Sequence, residues 1–166
     1  MSPRPPEGVR APAFTLPLLE RGMAGLADLV DAGGGVLVFV KRACPASELV
    51  VPRLGPLADA LRREGRLLLV VTQGSEEDAR AFREAHAPGP ALAWEAAPYG
   101  TSRAYGVSVV PTLFVIDGAG VIAERLEGFV KSEYLALGAS IEQALALGDI
   151  PPVLDRPDSM PALRPG

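Results

Sequence analysis

Five residues in succession, Val36, Leu37, Val38, Phe39 and Val40, are β-branched, aromatic or aliphatic, with no polar residue among them. Such a run lacks the alternation of a half-exposed strand and predicts a strand covered on both faces. Shortly after it comes Cys44, then Pro45, and the pattern turns helical. Proline suits the first helical position, because the amide it lacks would have had no intrahelical partner. Val36 to Pro52 therefore reads as strand, short turn and helix, with the chain's single cysteine as the helix N-cap. Free first-turn amides and the helix dipole favour an anion at that place, and so favour thiolate over thiol. Lys41 and Arg42 add positive charge just upstream, although strand alternation points one of the two away. An inert, buried cysteine is the ordinary alternative for a lone thiol. The position at a strand-to-helix turn, beside proline and after two cations, favours the reactive reading.

The 166 residues leave room for one domain with a full core, and 48% apolar with 22% charged residues is ordinary for a globular chain. A net charge of −4 and scattered basic residues argue against a nucleic-acid surface, and aromatics at 5% are too few for a base-stacking platform. No apolar run approaches the length of a membrane span. The opening residues, Met1 to Gly8, lack the apolar core of an export signal, so the protein is expected to be cytoplasmic. One cysteine excludes an internal disulfide, which fits a reducing compartment, and means that disulfide chemistry must recruit a partner thiol. With one histidine and one cysteine, a structural zinc site is not expected.

Along the chain, residues 1–10 read as a flexible, proline-rich N-terminus and Ala13 to Leu16 as a short strand. Leu26 to Val30 gives one or two helical turns, ended by Gly33, Gly34 and Gly35. The helix that begins at Pro45 is expected to run to about Glu64 with a kink at Pro52 and Pro56, and Gly65 as its stop. Arg66 to Thr72 is a second buried strand, and Ser75 with Asp78 forms a capping-box start for a helix through His86. Pro88, Gly89 and Pro90 break it. Ala91 to Glu95 reads as a strand and Pro98 to Tyr105 as a helical segment. Thr112 to Asp117 and Val121 to Glu127, joined across Gly118 and Gly120, predict an antiparallel hairpin, followed by a helix from Lys131 to Leu147. From Gly148 the prolines crowd and regular structure is not expected. Strands alternating with helices, then a hairpin and a last helix, predict an α/β fold: a three-layer α/β/α sandwich on a mixed sheet with a C-terminal helix.

Three groups of residues carry a resemblance to the thioredoxin-like superfamily. Cys44-Pro45-Ala46-Ser47 followed by Pro52 resembles the C-x-x-C active-site helix with its kinking proline. Val109-Val110-Pro111-Thr112 resembles the cis-proline segment. Ala11 to Pro17 with Leu26-Ala27-Asp28-Leu29 resembles the redoxin branch, which holds the peroxiredoxins and the TlpA-like thiol-disulfide reductases. With Tyr105-Gly106-Val107 the likeness spans residues 11–147, taken as a redoxin domain between the N-terminus and a proline-rich tail over 148–166. The departures are specific. Ser47 stands where the second cysteine would be, Ala43 where many relatives carry Trp, and Val38 where thioredoxins keep a buried acid. The peroxidase pattern P-x-x-x-T-x-x-C is absent, because Lys41 lies three residues before Cys44.

The resemblance implies a monothiol thioredoxin-fold oxidoreductase working by thiol chemistry with no cofactor and no metal. Cys44 would be its nucleophile, in thiol-disulfide exchange or in peroxide reduction, with Pro45 setting the helix start. Ser47 is expected to donate its hydroxyl to the sulfur. Pro111 in a cis bond would lie beside Cys44, with Val110 and Thr112 binding an extended substrate segment. Lys41 and Arg42 would tune the thiol or hold an acidic substrate. An external thiol such as glutathione or thioredoxin, or a partner protein, would restore the cysteine, a hydroperoxide is the other substrate class, and a homodimer is left open. The rival reading is a non-catalytic peptide-binding module on the same fold. An iron–sulfur carrier is weaker, since Pro45-Ala46 replaces the Gly-Phe of monothiol glutaredoxins. His86 is expected as a surface helix-end residue, Glu48 as solvated, and Trp94, Tyr99 and Tyr105 as packing residues.

Overall fold

The computed structural model describes residues 8–86 and 89–166. Residues 1–7 of the expected flexible N-terminus, and Pro88 of the helix-breaking trio, lie outside the described residues.

The apolar run forms the centre of the molecule. Strands β1 (Thr15–Pro17) and β2 (Met23–Gly25) make a small hairpin, α1 (Leu26–Asp31) follows, and β3 (Gly34–Lys41) carries Val36 to Val40 with no solvent exposure at any of them. The chain continues through α2 (Pro45–Val50), a 3-10 turn (Val51–Leu54), α3 (Gly55–Arg63), β4 (Leu67–Gln73), α4 (Glu76–His86), β5 (Ala91–Glu95) and α5 (Gly100–Ala104). It closes with β6 (Thr112–Asp117), β7 (Ile122–Glu127), β8 (Phe129–Val130), α6 (Lys131–Leu145) and β9 (Leu163–Arg164). The main sheet has the order β5-β4-β3-β6-β7. β3 is paired on both sides: Val38 lies opposite Val70 of the parallel β4 and Leu113 of the antiparallel β6. Because side chains alternate across a strand, Val36, Val38 and Val40 pack with α2, α3, α4 and α6, while Leu37 and Phe39 pack with Tyr105, Phe114, Leu26 of α1 and the hairpin residues Leu16 and Ala24. The fold is a thioredoxin-like α/β sandwich on a mixed sheet.

Close approach explains the glycines before β3. Gly34 sits at φ +109, and a Cβ there would run into Leu145 and the Ile116 carbonyl, so no larger residue could let α6 lie against the strand start. Both edges of the sheet are partly covered. Residues 8–11 run beside β7, with Gly8 N–H donating to Ile122 O (2.6 Å), Ile122 N–H to Val9 O (2.9 Å) and Ala11 N–H to Gly120 O (2.8 Å). On the other side Leu18 bridges Ala93 of β5.

Three expectations are corrected. The helix from Pro45 to Glu64 is divided, because Pro52 falls in the 3-10 turn and Pro56 opens α3; each proline lacks the amide a continuous helix would need. Residues 8–10 are hydrogen-bonded rather than loose. The segment after Gly148 is not irregular throughout: it contains a 3-10 turn (Pro157–Ser159) and β9, which pairs with β8, and it buries Val153, Leu154 and Met160 in the core. The tail's few apolar residues recover enough buried area to fix a path that its prolines alone would not have chosen.

Phe39 contacts Tyr105 and Phe114 at ring-centroid distances of 5.5 and 5.9 Å. Phe39→Ala is expected to destabilise the fold by about 3–5 kcal/mol, read as a lowered urea midpoint at unchanged slope.

Candidate active site

The carboxyl ends of β3, β4 and β5 and the start of β6 meet at one edge of the sheet, where the strand direction changes and ligands commonly sit. β3 leaves the sheet at Lys41. The chain then reverses through Ala43 in the left-handed region, at φ 63, which costs an alanine about 1–2 kcal/mol relative to the right-handed region. Glu48 holds that turn, its carboxylate accepting the Ala43 N–H at 3.1 Å. Cys44 follows with extended backbone (φ −97, ψ 111) as the N-cap of α2, and its own carbonyl accepts the Glu48 N–H at 3.0 Å. Pro45 occupies the first helical position and is exposed. Cys44 is half-buried, neither sealed beneath apolar side chains nor fully in solvent.

Across from it lies the loop before β6. Val110-Pro111 is a cis peptide bond. The Cys44 thiol donates to the Val110 carbonyl oxygen at 3.4 Å, so strand exit and loop meet at the sulfur. The loop is held from behind: Thr112 Oγ1 donates to Val109 O at 2.8 Å, and Gly128 N–H donates to Pro111 O at 2.7 Å.

Several residues stand differently from expectation. Thr112 has no exposed surface, so its side chain shapes the loop and cannot reach a substrate. Ser47 is likewise fully buried, and its hydroxyl oxygen accepts the Lys41 N–H at 3.4 Å; the hydrogen bond made by the sulfur runs to Val110 instead. Arg42 points away from Cys44, pairing at 3.1 Å with Asp78 in the first turn of α4. Backbone and hydroxyl hydrogen bonds from Ser75, then the Arg42 guanidinium, hold the Asp78 carboxyl below its ordinary range. Lys41 is exposed and borders a pocket of about 350 Å³ together with Tyr99, Arg103, Val109 and Val110. A second cis bond, Ala97-Pro98, precedes Tyr99 and was not anticipated.

Two residues taken for surface features belong to the site's surroundings. Glu48 bonds the Ala43 turn, and His86 Nε2 lies 3.6 Å from the same Glu48 oxygen. The clue available in the sequence was a carboxylate in the first turn after the N-cap. The reach of α4 back to α2 was not readable, because it depends on how two helices pack on one face of the sheet. Tyr105 is core, as expected, its hydroxyl donating to Pro12 O at 2.7 Å while burial pushes its ionisation far up. Among the described residues no group of three or more His, Cys, Asp or Glu is placed to hold a metal ion, and no helix is long and apolar enough to cross a membrane.

Comparison with known proteins agrees with this fold. The AhpC/TSA family model matches residues 8–125. No curated protein matches the sequence. Among solved structures, one from Chlorobium tepidum named for thiol:disulfide interchange (DsbE) is 28% identical with a TM-score of 0.74, covering 84% of this chain and 98% of its own. A thiol-disulfide oxidoreductase from Bacteroides fragilis is 16% identical with a TM-score of 0.63, covering 72% of this chain and 92% of its own. A thioredoxin-family thiol:disulfide interchange protein from Chlorobium tepidum TLS is 15% identical with a TM-score of 0.67, covering 84% and 98%. These last two speak for the fold alone.

Glu48→Ala is expected to cost about 1 kcal/mol, the worth of a half-exposed hydrogen bond to a charged acceptor. Adding Ala43→Gly should recover a similar amount, because glycine adopts the left-handed turn freely; urea midpoints of the single and double variants check both. Asp78, whose carboxyl is held below the ordinary 3.8, adds stability that is complete above that value and lost as pH falls through its lower folded value. Asp78→Asn should therefore lower the melting temperature at pH 6 and narrow its gap from the parent toward pH 2.

Proposed function

The chain belongs to the AhpC/TSA family, and we propose that within it the protein acts as a monothiol thiol-disulfide oxidoreductase with Cys44 as the nucleophile. The observation that carries this reading is the meeting of the half-exposed Cys44 sulfur with the Val110 carbonyl, 3.4 Å apart, just before the cis Pro111. An extended polypeptide laid along Val110 would bring a disulfide to the sulfur while its own amides bond the loop backbone. The thiolate of Cys44 attacks one sulfur of the disulfide, the new S–S bond forms as the old one breaks, and the second sulfur leaves as a thiolate that takes up a proton. Ser47 offers no second thiol, so a separate thiol such as glutathione, thioredoxin or a partner protein attacks the mixed disulfide. It leaves with the substrate's sulfur and returns Cys44 reduced. Dependence on an external thiol suits a reducing compartment, which supports a cytoplasmic setting and a part in cell redox homeostasis.

Peroxide reduction is the second chemistry of the family's site. Cys44 would take an oxygen from a hydroperoxide to give a sulfenic acid and release water or an alcohol, and two external thiols would then restore it as water and a disulfide form. Lys41 in place of the hydroxyl that orients a peroxide disfavours it. A non-catalytic peptide-binding role is favoured by Val38, which packs in a wholly apolar cluster where a proton-transferring acid would stand.

Incubation with glutathione disulfide is expected to give one mixed disulfide per chain by mass, absent from Cys44→Ser and removed by excess glutathione. No adduct would leave only the binding role. Ser47→Cys should raise insulin-disulfide reductase activity by at least about tenfold over the parent, as a second thiol closes the cycle internally. Stopped-flow oxidation of Cys44 by hydrogen peroxide should proceed no faster than that of free cysteine; a much faster rate would transfer the assignment to peroxide reduction.

A further inference from the structure

The tail after α6 returns to the site. Its first part is firmly anchored: Val153, Leu154 and Met160 are buried, and Arg53 Nη1 reaches Asp155 O, Arg156 O and Ser159 Oγ at 3.1, 2.9 and 2.7 Å. Lys131 Nζ donates to Met160 O at 3.3 Å. Beyond Met160 the character changes, and residues 161–166 are all exposed. They are held by strand pairing. Phe129 lies opposite Arg164, Val130 opposite Leu163, and Lys131 N–H donates to Ala162 O at 2.9 Å. The tail then crosses the cis-proline loop. Gly166 lies so close to Val110 that a Cβ on it would overlap the Val110 carbonyl oxygen. That oxygen is the one that accepts the Cys44 thiol.

We infer that residues 161–166 occupy in cis the strand edge beside Cys44, and that a substrate polypeptide must displace them while a small disulfide need not. This rests on the exchange reading of Cys44. Main-chain pairing with β8 and contact with Val110 are what an incoming extended chain would use, and both cannot be present at once. The occupant is readily lifted. It buries little, with Leu163 59% exposed, while the anchor at Met160 lies before it, so it lifts from β8 without unfolding the core. A site open for only a fraction of the time binds with affinity reduced by that fraction. Cys44, by contrast, is half-exposed with the tail in place, which leaves it open to small reagents. The tail thus sets a preference between substrate sizes and is overcome by polypeptides that pair well with β8.

The test uses the full chain with two exposed substitutions. Arg164→Pro removes a ladder amide: with Lys131 bonded to Ala162, antiparallel alternation makes Phe129 and Arg164 the next hydrogen-bonded pair. Gly166→Val adds a side chain where Val110 leaves no room. Exchange rates are measured with Ellman's reagent and with a short cysteine peptide carrying the same leaving group as a mixed disulfide. Each substitution is expected to raise the peptide rate about tenfold, equivalent to about 1.4 kcal/mol of lost docking, and to leave the Ellman's rate unchanged. Hydrogen exchange at the Lys131 amide, protected in the parent, should accelerate by a similar factor in both variants. An unchanged peptide rate, an equal rise for both reagents, or a Lys131 amide unprotected in the parent overturns the tail's role and leaves the exchange chemistry standing. Failure of Cys44 to react with either reagent in any variant removes the exchange reading, and this inference with it.

Discussion

Pairing of β3 on both sides is the constraint from which the rest follows. A strand with neighbours at both edges and helices over both faces has no contact with water, so every residue from Val36 to Val40 must be apolar and every backbone amide must be satisfied by β4 or β6. That leaves the strand's end as the place where polar chemistry can begin. Lys41 is the first exposed residue, and the Ala43 turn, the Cys44 cap and the exposed Pro45 follow at once. The sulfur is fixed in space because the strand beneath it is fixed.

The site is assembled from three segments distant in sequence: the β3–α2 turn, the loop before β6 and the tail beyond Met160. The first two meet at one hydrogen bond, from the Cys44 thiol to Val110. Thr112 and Gly128 hold that loop from behind, which is why two residues without access to a substrate still decide where it sits. Around this centre the charges are mostly committed elsewhere. Arg42 is paired with Asp78 and Glu48 is shared between Ala43 and His86, while Lys41 and Arg103 are the cations bordering the pocket next to Val110.

Much of this was legible from residues alone, where local pattern and tertiary outcome agree. The buried run, the proline after Cys44, the Ser75–Asp78 cap and the hairpin from Thr112 to Glu127 each impose their structure through a short-range mechanism, and each forms. The misses share a different cause. Ser47 was read as a donor to the sulfur because both lie in one turn, but the amide of Lys41, six residues earlier, approaches it in the folded chain. Arg42 is expected beside the thiol from its proximity in sequence and Glu48 in solvent, whereas their partners Asp78 and His86 come from α4. The prolines after Gly148 argue against regular structure there, yet Val153, Leu154 and Met160 are apolar enough to bury and Arg53 has carbonyls to hold. Composition shows that a segment cannot form a helix; it does not show that the segment lacks a place to lie.

The strips laid along the two outer strands have a consequence for solubility and assembly. An open β-edge invites the edge of another copy, the route by which sheets join into aggregates. Here residues 8–11 hydrogen-bond to Gly120 and Ile122 at the start of β7, and Leu18 bridges Ala93 of β5, so part of each margin of the main sheet is closed to a neighbouring molecule. Growth of the sheet by addition of a neighbour's strand is hindered at these two places, where the ladder is already occupied by the chain's own backbone.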